Sequence, residues 1–96
     1  MTVVFSEEAD SDLLRIITYL TERNRAAAVA LANLFNSKVE NLSYFPFIGR
    51  DRSVFGHGLR SVVVENYVIF YRAERERILI VRVIDGRGDI DAEFER

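Results

Sequence analysis

The chain has 96 residues, 49% of them hydrophobic and 29% charged, which is the composition of one folded globular domain spanning 1–96. Its net charge of −2 argues against a module that grips nucleic acid through the phosphate backbone, so no sequence-specific DNA binding by this chain alone is expected. Zero cysteines and one histidine exclude a disulfide scaffold, thiolate metal sites and cysteine catalysis, and no cofactor or metal is expected.

The residues Thr2 to Phe5 form a short β-branched run, which predicts a strand. Ser6 follows as a helix N-cap, with Glu7, Glu8, Asp10 and Asp12 placed at the positive end of the helix dipole. Ala9, Leu13, Ile16, Ile17 and Leu20 recur at helical spacing through about residue 22. Leu14 and Tyr19 flank that stripe, and either completes the core or meets a partner. Asn24 and Arg25 break the pattern. A second helix is predicted from Arg25 to Leu42, on the rhythm of Ala27, Leu31, Leu34, Phe35, Val39 and Leu42. So short a turn makes the two helices an antiparallel hairpin.

Pro46 disfavours helix at the residue before it, so the second helix ends at Tyr44-Phe45-Pro46-Phe47, read as a packed corner under the sheet edge. Gly49, Gly56 and Gly58 mark a loop, and His57 between two of them reads as incidental. Three strands follow: Leu59 to Glu65, Tyr67 to Ala73 and Ile78 to Ile84. Glu65-Asn66 and the run Glu74 to Arg77 are the hairpin turns. The tail from Asp85 to Arg96 is polar and acidic, and Asp89, Asp91, Glu93 and Glu95 alternate as if along a strand, reading as a solvated segment. The predicted fold is α+β, in the order β-α-α-β-β-β, with the helical hairpin on a mostly antiparallel sheet.

These strands carry a surplus of apolar side chains. Tyr67-Val68-Ile69-Phe70-Tyr71 and Ile78-Leu79-Ile80-Val81 are apolar at every position, whereas a strand with one wet face alternates. Two helices cover only one face of a sheet. The expectation is a partner on the other face, with the tail folding back over it as the alternative.

No apolar run reaches the roughly 20 residues of a membrane span. The N-terminal residues do not read as a secretory signal, and a soluble cytoplasmic protein is expected.

Over nearly its whole length the chain resembles the RelE/ParE toxin superfamily, in its ParE-like branch. The resemblance rests on Ala9-x-x-Asp12-Leu13-x-x-Ile16-x-x-Tyr19, Ala27 through Leu31 and Leu42-x-x-x-Pro46-x-x-Gly49-Arg50. It continues through Leu59-Arg60-Ser61-Val62-Val63-Val64, Tyr67-Val68-Ile69-Phe70-Tyr71-Arg72 and Arg82-Val83-Ile84-Asp85-Gly86-Arg87-Gly88-Asp89-Ile90. Asp85 departs from the pattern, at a position where many relatives carry histidine.

The resemblance implies the toxin of a type II toxin-antitoxin system, neutralised by a ParD-like antitoxin. Its implied target is DNA gyrase, inhibited by binding and without catalysis. The alternative is a ribosome-dependent mRNA endonuclease of the RelE type, and a third reading is a scaffold that has lost toxicity. RelE-like enzymes place an arginine after the tyrosine that opens a strand, where this chain has Val68 after Tyr67. Leu59 and Ser61 fall near their lysine positions, and Phe94 stands nearest their terminal tyrosine without a proton to give. The candidates for target binding are Arg50, Arg60, Arg87 and Phe94. Those for antitoxin binding are Leu14, Tyr19, Tyr67, Ile69 and Tyr71.

Overall fold

The computed structural model describes residues 1–95; Arg96, the end of the acidic tail, lies outside them. The elements are β1 (Thr2–Phe5), α1 (Glu7–Arg23), α2 (Arg25–Tyr44), β2 (Arg50–Asp51), β3 (Leu59–Val64), β4 (Tyr67–Ala73), β5 (Arg77–Asp85) and α3 (Ile90–Phe94). One five-stranded sheet has the order β1-β5-β4-β3-β2. β1 runs parallel to β5, and the other pairs are antiparallel. This is the predicted α+β architecture, with two short elements added.

Single residues govern the joints. Ser6 ends β1 by donating its N–H to Ile80 O at 2.9 Å, and its hydroxyl then accepts from Ala9 N at 3.0 Å as the N-cap of α1. Asn24 serves both helices: its N–H closes α1 on Leu20 O, and its side chain accepts from Ala27 N to open α2. A one-residue joint of this kind forces the hairpin.

One face of the sheet takes the helices. Ala9, Phe35 and Leu42 pack there on Ile69, Tyr71, Ile78, Ile80 and Val83, all buried. The opposite face corrects the sequence expectation. Leu59, Val68, Phe70 and Ile84 are buried under the chain's own Phe55, Ile90 and Phe94. Phe94 lies stacked 5.0 Å from Phe55 and edge-on 4.8 Å from Phe70. The tail is therefore a short helix that covers the second face, not a solvated strand. The helical period brings Ile90 and Phe94 to one side, so apolar residues that the acidic alternation had obscured point at the sheet. Phe55 comes from the loop between β2 and β3. The chain's own segments cover most of this second face, while Val63 on it stays exposed.

Residues 50–51, expected in a loop, form β2 against β3, with Arg50 opposite Ser61. Tyr44, Phe45 and Phe47 of the expected packed corner are exposed, as is the neighbouring Ile48. The cause is Tyr71, whose buried hydroxyl accepts from Gly49 N and donates to Pro46 O, each at 2.9 Å. Arg60 adds a donation to Gly49 O at 2.9 Å. The backbone of this corner is pinned inward, and its rings face out.

Candidate functional site

A concave surface lies along the free side of β5. β1 pairs with β5 only as far as Phe5 opposite Ile80, so the second half of β5 has no strand on that side among the described residues. α1 serves that side instead. Ser6 Oγ donates to Val81 O at 2.8 Å, and the buried Asp12 carboxylate accepts from Val83 N at 2.9 Å. Asp12 also accepts from Arg82 Nε at 2.8 Å and from Arg15 Nη2 at 3.0 Å. Burial pushes the Asp12 carboxyl up, but these bonds outweigh it and hold it below the usual carboxylate range. Arg82 reaches on to Glu93 of α3 at 2.9 Å and so ties α1, β5 and α3 together. The bond to Asp12 raises the Arg82 pKa.

Beyond this network lies a cleft of about 390 Å3 between α1 and the end of β5, lined by Arg15, Ile16, Tyr19, Tyr67, Val83, Asp85 and Arg87. Tyr67 pairs directly opposite Asp85 across β4 and β5. The next residues turn sharply: Gly88 N donates to Asp85 O at 3.1 Å, and Arg87 N donates to Asp85 Oδ1 at 2.9 Å. The same carboxylate takes Arg87 Nε at 3.0 Å and Nη2 at 2.8 Å. Arg87 holds the Asp85 carboxyl down to about 2, and Asp85 raises the Arg87 pKa in return. A groove on α1 continues the cleft past Leu14, Thr18 and Arg23. The Arg23 guanidinium lies 3.5 Å from the centre of the Tyr19 ring.

The structure sorts the candidate residues. Leu14 is 71% exposed and Tyr19 53% exposed, so both face outward from α1. Tyr67 borders the same cleft. Ile69 and Tyr71 do not join them: both are completely buried under the helical hairpin, out of reach of a partner on the folded chain. Among the target-binding candidates, Arg87 enters the cleft beside Tyr19 and Tyr67. Arg60 holds the corner backbone and lies 5.3 Å from the Phe47 ring centre. Arg50 is exposed on the edge strand β2. Phe94 is part of the cover on the second face and not a free contact. Sequence reasoning missed Asp12 as the organiser of this edge. Its place four residues before Ile16 on the apolar side of α1, rather than on the acidic side, is the signal that was available.

The second exposed apolar surface is the corner Tyr44, Phe45, Pro46, Phe47 and Ile48. No helix among the described residues is long and apolar enough to cross a membrane.

Comparison with known proteins agrees with this fold. Residues 3–90 match a family described as the ParE toxin of type II toxin-antitoxin system, parDE. Toxin ParE3 of Caulobacter vibrioides is 35% identical over 93 residues, covering 96% of this chain and 93% of that protein. The solved structure described as the chromosomal ParDE TA system from P. aeruginosa superposes with a TM-score of 0.73 at 19% identity, over 88% of this chain and 95% of the other. With the fold and these matches in agreement, the chain belongs to the ParE toxin family of type II toxin-antitoxin systems.

Proposed function

We propose that this chain acts in the cytoplasm as a binding toxin, inhibiting DNA gyrase, and that a ParD-like antitoxin holds it inactive by lying along α1 and the cleft beside β5. The cleft carries this reading. Tyr67 and exposed Tyr19 line it beside the side of β5 that carries no strand among the described residues, and exposed Leu14 lies in the α1 groove that continues it, so a helix or an extended segment would find both apolar contact and polar groups there. The exposed corner Tyr44–Ile48, with Arg50 and Arg60 beside it, is then the surface left for the target.

The state of the arginines supports a binding role over RNA cleavage. Arg82 is neutralised by Asp12 and Glu93, and Arg60 is committed to the corner backbone, which leaves one edge of Arg87 as the open guanidinium among these three. A transition state on phosphate asks for cations aimed at the developing charge. Supercoiling of relaxed plasmid by purified gyrase tests the reading: added toxin inhibits, and antitoxin restores activity. Cleavage of ribosome-bound message without any effect on gyrase would replace it with the RelE-type activity. Inertness in both assays would leave a binding scaffold.

A further inference from the structure

We propose that Asp85 and Arg87 form a preset receiver for a single carboxylate side chain of the antitoxin segment that occupies the cleft; this rests on the reading of that cleft as the antitoxin site. Asp85 takes the side-on edge of the Arg87 guanidinium, through Nε and Nη2, and also the Arg87 backbone N–H. A guanidinium has a second edge, made by Nη1 and the remaining Nη2 hydrogen, with the spacing to grip another carboxylate in a fork. That edge carries no described protein bond, and the Arg87 side chain is 69% exposed. The turn from Asp85 to Gly88 fixes the base of the side chain.

The surroundings set the class of occupant. Ile16, Tyr19 and Tyr67 give the cleft an apolar wall, which asks for an apolar side chain next to the acid. The α1 groove that continues it is mixed in charge, with Arg15 paired to Asp12 and Arg23 set beside Glu22, so Arg87 is the cation that offers an open edge to the cleft. A nucleic-acid phosphate track is the poorer occupant. Asp85, Asp89 and Glu93 border the same cleft, and the whole chain carries −2, so a polyanion is repelled along its length while one carboxylate meets one free edge. The occupant is therefore a polypeptide strip with an apolar residue beside Asp or Glu. Asp85 is a positioning residue: it contributes no contact of its own and removes rotamer freedom from Arg87 before binding.

The test measures association and dissociation rates of the full chain with its full-length antitoxin at fixed ionic strength. In Asp85→Asn, dissociation should quicken about 5-fold with little change in association, because the fork is no longer held. Simple charge counting expects the opposite, since that variant gains positive charge toward an acidic ligand. Arg87→Lys should lose about 10-fold or more, as much as Arg87→Gln, because a point charge does not replace a planar fork. Melting temperatures should stay near that of the unaltered chain, as an exposed pair adds little to stability. Unchanged or tighter binding by Asp85→Asn, or full affinity in Arg87→Lys, would overturn the receiver alone. So would binding of single-stranded DNA lost in Arg87→Lys while antitoxin affinity is kept. Failure of the unaltered chain to bind antitoxin would overturn the reading of the cleft and the receiver with it.

Discussion

Asp12 and Arg82 stand 70 positions apart and meet at the unpaired side of β5, with Arg82 Nε 2.8 Å from Asp12 Oδ2. The Asp12 side chain is 3% exposed, and its carboxylate also satisfies Val83 N. A strand edge that would otherwise present open backbone groups is thus closed by a helix side chain. Asp12→Ala leaves the Arg82 charge and the Val83 N–H without this acceptor. The expected cost is about 3–5 kcal/mol, read as a lower urea midpoint. Asp12→Asn keeps one acceptor oxygen and should cost less. A loss below about 1 kcal/mol in Asp12→Ala would mean that the edge is held by packing alone.

The same carboxylate sets an acid limit. The folded pKa of Asp12 lies below its ordinary value, so its contribution is present above the unfolded pKa, roughly 3.9, and is lost as pH falls through the folded one. Stability should be level from about pH 7 to pH 5 as far as this group is concerned and should fall below about pH 4. Asp85 titrates in the same sense, but its partner Arg87 is mostly exposed and the pair adds little. Denaturant titrations at stepped pH check this. The Asp12→Asn curve should lose part of the acid slope.

Tyr71 and Gly49 form a lock under the exposed corner. A Cβ on Gly49 would stand 2.5 Å from the Tyr71 hydroxyl oxygen and 2.9 Å from Ser61 O, so the glycine is required by close approach. Tyr71→Phe strands the Gly49 N–H and should cost about 1–3 kcal/mol in thermal or chemical unfolding. Gly49→Ala should also destabilise, and its penalty should shrink without vanishing in the Tyr71→Phe background. Simple additivity of the two would refute the lock.

Phe94 seals the second face between Phe55 and Phe70. Phe94→Ala should cost about 2–4 kcal/mol, near the lower range for an aromatic truncation because the ring is only partly buried. Binding of a hydrophobic dye should rise, since Phe70 and Val68 become accessible. Unaltered stability and dye binding would mean that Phe55 and Ile90 suffice as a cover.

Much of the fold was legible in the sequence because its signals are local. Ser6 announces a helix start and Asn24 a break between helices by chemistry within a few residues of themselves, and the β-branched runs after Gly58 state their own period. Leu14 and Tyr19 were legible as residues flanking the stripe, but core and surface stayed open for both until the fold exposed them. The identity of the second cover was not. The acidic alternation of Asp89, Asp91, Glu93 and Glu95 matches a strand pattern, while the same stretch at helical period places Ile90 and Phe94 together. Composition does not choose between those periods; the presence of Phe70 and Phe55 in space does.

By itself the sequence determined the order of the six main elements, the helical hairpin, the four longer strands and the family likeness. Each of these depends on residues close in the chain or on a linear pattern. Tertiary structure alone decided that Ile69 and Tyr71 are core, that the rings of the 44–48 corner face outward, and that Arg87 shares a cleft with Tyr19. Those outcomes depend on contacts such as Tyr71 to Gly49 and Asp12 to Arg82, in which groups distant along the chain find their hydrogen-bonding partners only once the sheet has closed.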